Sequence, residues 1–531
     1  MRLPGQQQSS GRVWSEQQQA IFKAFREPAG NVLVRARAGC AKTTTSLEGV
    51  KQAPERRILV AAFNKLIADE ANARLVGQDR VKAKTLHALG MGYIKSAWGP
   101  VEVDNNGRGW ELVNSYTTAS QEIKTALKNT HTKVRELNPW ADTVEDIERI
   151  AVLYDLLPGD DAWVKGWNEA LFYDAVLEIL KAAEEYSEVI DFADMIFLPL
   201  RKGMVYPSYE LVVVDEAQDM TRPQLEIAKR ATVKDGRMFI VGDDRQAIYG
   251  FRGADSGALD RLKEQLQATE LGLKTTYRCG RAIVERAREY VPDFEAAPTV
   301  EEGVVRNCLP SEMIETATPG DFVLSRANAP LMGVALGLIR RGVRARIRGR
   351  EIGKGLIDII KKLRVTSLAD LDEALERYRG KEIGKLSKRD PHLARTKMAQ
   401  LQDNIDTIAT LAETVTSVDE LTRKLDMLFN DETGAASVMC STVHKAKGLE
   451  ADRVWVLEDT LKRGGLEEEN IRYVAYTRAR HELVLVTTTK ELEEVDCGNG
   501  VLRSPHDGSI ERDTLTRESV STSNGCDNGN H

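Results

Sequence analysis

The sequence predicts an α/β architecture of parallel sheets covered by helices on both faces and interrupted twice by mainly helical insertions. Three observations carry this. Short apolar runs bounded by turn residues recur along the chain with helical patterns between them, the alternation that builds parallel sheets. Near the start, a strand, a small-residue loop, Lys-Thr and a helix follow one another, an order suited to cradling phosphate. Residues 93–194 and 356–430 are helical in pattern with no clear strand run.

Taken in order, the expected strands are Asn31–Ala36, Arg57–Phe63, Leu211–Val214, Met238–Val241, Phe322–Leu324, Val454–Leu457 and Leu483–Val486. Each reads as a short, mostly apolar run bounded by turn residues, as a buried parallel strand under two helical layers would be. The chain has 531 residues, 42% hydrophobic and 29% charged, which is ample material for several domains. Lys and Arg total 74 against 81 Asp and Glu, a net charge of −7. That excludes a polybasic tail protein but leaves a local basic groove open. Six cysteines stand at 40, 279, 308, 440, 497 and 526, with no CxxC pair. A zinc ribbon or iron–sulfur cluster is therefore not expected, and the spacing suits a reduced, cytoplasmic setting. No signal-peptide core or membrane-length apolar run is present. Residues 1–11 and 497–531 are polar and expected to be disordered.

The first strand runs into Ala36-Arg37-Ala38-Gly39-Cys40-Ala41-Lys42-Thr43-Thr44. In a loop of this kind, backbone N–H groups and the helix N-terminus hold phosphate oxygens. Lys42 neutralises charge, and the Thr43 hydroxyl is placed for Mg2+. The strict pattern wants glycine at 36 and 41, where this chain has alanine; the Cβ of Ala41 is expected to crowd the loop. The strand Leu211–Val214 ends in Asp215-Glu216-Ala217-Gln218-Asp219. Carboxylates at the carboxyl end of a central strand lie where α/β sheets bind ligands. Asp215 is expected in the Mg2+ shell, and Glu216 is expected to orient or deprotonate the attacking water. Asp219 suits a helix-capping acid better. Together the two sites point to ATP hydrolysis.

Further segments resemble the UvrD/PcrA/Rep group of superfamily 1 DNA helicases, in that family's order. Trp14-Ser15-Glu16-Gln17-Gln18 is similar to the Q-motif, Ala61-Ala62-Phe63-Asn64-Lys65 to motif Ia, and Thr85-Leu86-His87 to motif Ib. Gly242-Asp243-Asp244-Arg245-Gln246-Ala247-Ile248-Tyr249-Gly250-Phe251-Arg252-Gly253-Ala254 resembles motif III, and Thr276-Tyr277-Arg278 resembles motif IV. Thr442-Val443-His444-Lys445-Ala446-Lys447-Gly448-Leu449-Glu450 resembles motif V, and Tyr473-Val474-Ala475-Tyr476-Thr477-Arg478-Ala479 resembles motif VI.

The resemblance implies two RecA-like, parallel-sheet P-loop domains with ATP at their cleft, each carrying a mainly helical inserted subdomain. The first would comprise residues 12–92 and 195–276 around the insertion 93–194. The second would comprise 277–355 and 431–496 around 356–430. Only 163 residues separate Arg278 from Thr442, so the second insertion looks reduced. The resemblance also implies residue roles. Gln18 would read adenine and Tyr277 would stack on it, Gln246 would sense the γ-phosphate, and Glu450 would lie near the ribose. Arg278 and Arg478 would reach across the cleft as arginine fingers. The expected ATP contacts are Ala36, Ala38, Gly39, Cys40, Ala41, Lys42, Thr43 and Thr44, with Mg2+ on Thr43 and Asp215.

Single-strand motors combine backbone contacts with aromatic platforms. Phe63, Tyr249 and Phe251 are the aromatic candidates, although Phe63 also suits a core residue ending a strand. Asn64, Thr85, His87, Arg252, Thr442 and His444 join them as motif residues expected to contact DNA. The run Arg340–Arg350 alternates Arg with small or apolar residues, placing Arg344, Arg346 and Arg348 on one strand face. That face suits either phosphate binding or pairing with surplus acids.

The leading expectation is an ATP-dependent single-stranded DNA translocase and helicase moving 3′ to 5′, acting as a monomer in repair, replication or recombination. Its expected partners are single strands, duplex junctions and replication or repair proteins. Two alternatives stand beside it: a translocase that clears proteins from single strands with little unwinding, and a non-hydrolysing ATP-switch module. Too few residues follow motif VI for a nuclease domain, so a helicase–nuclease fusion is not expected.

Overall fold

The computed structural model describes residues 13–27, 29–159, 163, 166–248, 257–386, 391–429, 436–462 and 464–488. Its strands are β1 Val32–Ala36, β2 Ile58–Ala62, β3 Val81–Thr85, β4 Glu102–Val103, β5 Val189–Ile190, β6 Tyr209–Val214, β7 Thr232–Gly242 and β8 Thr269–Leu273, followed by β9 Thr275–Thr276, β10 Glu295–Ala296, β11 Val304–Cys308, β12 Phe322–Ser325, β13 Ala345–Ile347, β14 Val438–Thr442, β15 Ala451–Leu457 and β16 Ala479–Val486. Two six-stranded sheets dominate, ordered β3-β2-β6-β7-β1-β8 and β11-β16-β15-β12-β14-β13. Every pairing in both is parallel.

The central strands are buried on both faces because helices cover each side. In β6, Leu211, Val212, Val213 and Val214 are all fully buried. Their side chains alternate between two cores, one holding Leu211 and Val213 with Phe25 and Phe239, the other holding Val212 and Val214 with Leu89 and Ile227. The second sheet likewise separates two cores. Helix starts follow local chemistry. Ser15 and Gln18 form a capping box at Glu16–Arg26, and Thr221 and Gln224 form another at Arg222–Ala231.

All seven expected strands are present. Five further strands complete the large sheets: β3, β8, β11 and β14 lie outside the expected runs, whereas β13 lies in the arginine run whose residues share an expected strand face. β3 reads Val-Lys-Ala-Lys-Thr, with Lys82 pointing to solvent between buried Val81 and Ala83. β13 lies inside the arginine run, with Ala345 and Ile347 buried and Arg346 donating to Ser437 Oγ at 2.9 Å. Arg344, Arg346 and Arg348 form no ion pair among the described residues.

Among the described residues of the insertion between β3 and β6, the only strands are the two-residue pair β4 and β5, too short to register as an apolar run; the other elements are helices. Its core is separate and is built on Leu127, Phe172, Val176 and Ile179. The expected boundaries at 92/93 and 355/356 fall inside continuous helices, Leu86–Trp98 and Arg350–Leu363. Helices Arg350–Leu363, Leu371–Leu386, Pro391–Ala412 and Val418–Leu428 lie between β13 and β14. Cys40, Cys279, Cys308 and Cys440 are free and buried. No helix among the described residues is long and apolar enough to cross a membrane.

The helical insertion is fixed to the first sheet where helix Leu86–Trp98 crosses helix Asp194–Arg201. Gly90 allows that approach, since a Cβ there would stand 1.8 Å from the Met195 carbonyl oxygen. Two glycines of one helix therefore give opposite expectations. Gly90→Ala should destabilise the protein by about 3 kcal/mol, the upper end of overpacking costs, because backbone must move. Gly92→Ala, with nothing within 4 Å, should stabilise it by about 0.5–1 kcal/mol through helix propensity. Chemical denaturation of the two variants checks both signs.

Candidate nucleotide site and nucleic-acid interface

The loop after β1 is shaped by close approach of the second half of the chain. A Cβ on Gly39 would lie 2.5 Å from Thr276 Oγ1 and 2.6 Å from Arg278 Cβ, and its φ is +68°. Only glycine suits that position. Ala36 and Ala38 are fully buried. The Ala38 N–H donates to the Tyr473 hydroxyl at 2.8 Å. Ala41 caps the helix Lys42–Gln52 in the left-handed region, φ 60° and ψ 40°. A Cβ there costs roughly 1–2 kcal/mol, so the crowding expected at this position takes the form of backbone strain. Cys40 donates to the Arg37 carbonyl, and burial pushes its thiol up to about 12, which keeps it protonated.

Opposite charges meet at the carboxyl ends of β1 and β6. The Thr43 hydroxyl donates to Asp215 Oδ2 at 2.7 Å, and Lys42 Nζ lies 3.4 Å from Glu216. Burial, reinforced by the Glu216 charge, pushes Asp215 up to about 6. Burial acts the same way on Glu216, but Lys42 and Lys447 overcome it and hold the carboxyl near 2. Burial lowers Lys42, yet Glu216 and Asp243 outweigh it and hold the ammonium above its ordinary range. Glu216 is also strained, at φ 52°, and it accepts from Gln218 Nε2 at 2.5 Å. Backbone strain of this kind clusters at working residues. Gln246 is buried and donates to Asp243 Oδ2 at 2.6 Å. Thr44 accepts from Arg74 at 3.0 Å.

The second half supplies the opposing wall. Arg278 Nε pairs with Glu450 at 2.5 Å, and Lys447 Nζ donates to Asp219 Oδ1 and to the Gln246 carbonyl, both at 2.6 Å. Asp219 thus binds Lys447 rather than capping a helix. Arg478 is different. It is fully buried, it pairs with no carboxylate among the described residues, and it donates to the carbonyls of Val474 and Leu449 and to Thr477 Oγ1. Burial and the nearby Arg278 charge lower it to about 10. Carbonyls at the end of helix Leu466–Tyr476 help the cation remain there. Lys42, Glu216, Gln246, Arg278, Lys447 and Arg478 all line one cavity of about 310 Å3 with the loop residues Gly39–Thr44. Gln18 and Tyr277 meet at another edge of the loop. Gln18 donates to Thr45 Oγ1 at 3.0 Å, Tyr277 donates to Gln18 Oε1 at 3.4 Å, and the Tyr277 N–H donates to the Gly39 carbonyl.

Among the residues expected to contact DNA, Phe63 is 40% exposed and lines the same cavity with Asn64, so it is not a core residue. Asn64 and Thr85 cap helices Lys65–Arg74 and Leu86–Trp98 through their side-chain oxygens. His87 is half-buried, and burial lowers its pKa. Thr442 is buried at the end of β14, and His444 follows in the short helix Val443–Ala446. Tyr249, Phe251 and Arg252 lie outside the described residues.

Three residues stand out that sequence patterning missed. Phe192 is 53% exposed and meets His87 edge to face, ring centroids 5.8 Å apart. Within Val189-Ile190-Asp191-Phe192-Ala193-Asp194-Met195-Ile196-Phe197 it reads as one more core apolar residue. Lys447 lies one residue before a motif glycine and carries no signal of its own. Arg37 sits in the loop between Ala36 and Ala38 with no signal of its own, yet it contacts three carboxylates.

Residues 14–267 match the model of the UvrD/REP helicase N-terminal domain, and 437–486 match the UvrD-like helicase C-terminal domain. The chain is 25% identical to F-box DNA helicase protein 1 of Schizosaccharomyces pombe over 91% of its own length and 58% of that protein's. It is 23% identical to F-box DNA helicase 1 of Gallus gallus, over 90% of this chain and 49% of the relative. It is 25% identical to the ATP-dependent DNA helicase UvrD2 of Mycobacterium tuberculosis, over 87% and 77%. The chain thus spans about half the length of the two F-box relatives.

The strained loop gives a direct expectation. Ala41→Gly should hold or raise stability, by up to about 1 kcal/mol, because glycine enters the left-handed region without steric cost. Ala41→Val should lower it by at least as much. Thermal denaturation of the pair separates strain at this position from a tolerant loop.

Proposed function

This chain belongs to the UvrD-like helicase family, and from that footing we propose that it is an ATP-dependent motor that moves along single-stranded DNA and separates duplexes. The observation that carries the reading is the buried Arg478. A cation fully removed from water needs an anion, and this one faces the cavity lined by Lys42 and Arg278 without a carboxylate of its own among the described residues. A triphosphate supplies that charge.

In this reading the loop amides and Lys42 hold the β- and γ-phosphates. Arg478 and Arg278 stabilise charge on the transferring γ-phosphoryl group, Arg278 exchanging Glu450 for phosphate oxygen. Glu216, ionised throughout the physiological range, orients the attacking water and receives its proton as ADP and inorganic phosphate form. Gln246 reports the γ-phosphate to the segment that follows it. Thr43 and Asp215 offer two hard oxygen donors. Mg2+ suits so small a protein donor set because it keeps waters and phosphate oxygens as its other ligands. When bound it would neutralise phosphate charge. Gln18 and Tyr277 are placed to receive the base at the loop's edge.

The aromatic pair His87–Phe192 and the exposed Phe63 supply π-faces for unpaired bases, a sequence-tolerant grip. Movement 3′ to 5′ rests on the family resemblance. Hydrolysis requires both halves of the chain, so cleft closure and DNA grip are coupled by the arginines.

Steady-state hydrolysis with and without single-stranded DNA tests the proposal. DNA should stimulate turnover strongly, and Glu216→Gln should abolish it. Arg478→Ala should lower turnover about 10³-fold or more, the range for an arginine finger. Tight ATP binding with turnover that DNA does not change would instead favour the switch module. Phe192→Ala should weaken single-strand binding by about 1–3 kcal/mol, the contribution of one stacked base, as read by fluorescence anisotropy.

A further inference from the structure

Arg37 occupies the phosphate loop, yet its guanidinium does not line the phosphate cavity. It is nearly buried, and every contact is with an acid. Nε and Nη2 form a two-pronged pair with Asp293 Oδ1 and Oδ2, at 2.9 and 3.0 Å. Nη1 reaches Asp244 Oδ1 at 2.8 Å and Asp243 Oδ1 at 3.3 Å. Asp243 and Asp244 follow β7 in the first sheet. Asp293 belongs to the second half, between Val291 and Phe294, both in the core beneath the second sheet. It also takes Lys274 Nζ at 3.5 Å.

The same place holds a second link. The Tyr473 hydroxyl, which accepts the Ala38 N–H, belongs to a ring packed edge to face on Phe294, centroids 5.5 Å apart. Ala38 is itself buried in that second-half core. The back of the loop is therefore docked through Arg37 and Ala38, while its front, Gly39–Thr44, faces the cavity that Arg278 and Arg478 also line. A two-pronged guanidinium–carboxylate pair fixes orientation as well as distance.

We propose that Arg37 is a positioning residue that clamps the phosphate loop to Asp293 and so holds Arg278 and Arg478 in register over the loop. Its role is to set the arrangement of the two halves, not to bind phosphate. The activity readout below rests on the hydrolysis proposed above; the exchange readout does not.

Two variants remove the two-pronged pair without leaving an acid cluster bare. Asp293→Asn leaves Arg37 with Asp243 and Asp244. Arg37→Lys keeps the cation beside those acids but loses the fork. Charge reversal is unsuitable, because an acid at 37 would face Asp243 and Asp244. DNA-stimulated hydrolysis and the affinity for a fluorescent ADP are measured on both singles and the double. Each single should lower kcat about 5- to 150-fold, the usual size of coupling between sites. ADP affinity, which depends on the loop front, should change less than about threefold, and melting should report intact protein. The double should lose about as much as either single, since the pair acts as one unit. Unchanged kcat in both singles, or losses that multiply in the double, would overturn the proposal. Amide hydrogen exchange of the segment 36–41 is read in parallel, without nucleotide. It should speed up about tenfold or more in Asp293→Asn as docking weakens, and unchanged exchange would overturn the clamp whatever the hydrolysis assay gives. A wild-type protein that fails to hydrolyse ATP while this exchange effect appears would refute the proposed function and leave the clamp standing.

Discussion

The charge balance of the cleft constrains the rest of the structure. The carboxylates Asp215, Glu216, Asp219, Asp243 and Glu450 and the cations Lys42, Arg278, Lys447 and Arg478 are gathered where two sheets face each other. Most find a partner within the protein. Lys42 has Glu216, Lys447 has Asp219 and Arg278 has Glu450. Among the described residues Arg478 has carbonyl oxygens and a hydroxyl only. Desolvating a charge is costly unless it is paired, so the site is poised to take a polyanion. Unequal local surroundings explain why Asp215 and Glu216, adjacent in sequence, are pushed in opposite directions. Glu216 faces two lysines, whereas Asp215 lies deeper beside a neutral hydroxyl and the Glu216 charge.

The parallel sheets make this convergence possible. All strands of a sheet point the same way, so the loops after β1, β6 and β7 emerge side by side and deliver Lys42, Glu216 and Gln246 together. The second sheet delivers Lys447 and Arg478 from the segments after β14 and before β16. Closure is built into the packing as well as into the charges. Ala38 and Ile248, from the first half, are buried in a core formed mainly by the second. Gly39 is held so close to Thr276 and Arg278 that a side chain would not fit. Loop geometry, docking of the two halves and the placement of Arg278 and Arg478 are therefore one problem, solved by the same few contacts.

Much of this was legible in the sequence, for reasons that are particular. β1 and β6 are apolar on both faces and end in charged motifs, so pattern and chemistry coincide there. β3, with Lys82 and Lys84, and β13, inside the arginine run, hide their strand character in long side chains whose stems pack while their heads reach solvent. The convergence of Lys42, Glu216 and Arg478 on one cavity was readable because each lies in a motif. Phe192 was not, because an exposed aromatic and a core aromatic look alike in one dimension. Arg37 escaped for another reason: its partners, Asp243, Asp244 and Asp293, are more than 200 residues away, and only the fold brings them together.

The measurement that bears most directly on the cleft is the equilibrium preference for ATP over ADP, compared between the native protein and Arg478→Ala under non-hydrolysing conditions. If the buried arginine awaits a terminal phosphate, the preference should collapse in the variant while ADP affinity holds. An unchanged preference, or an equal loss for both nucleotides, would contradict that role and reduce Arg478 to a structural cation of the second half.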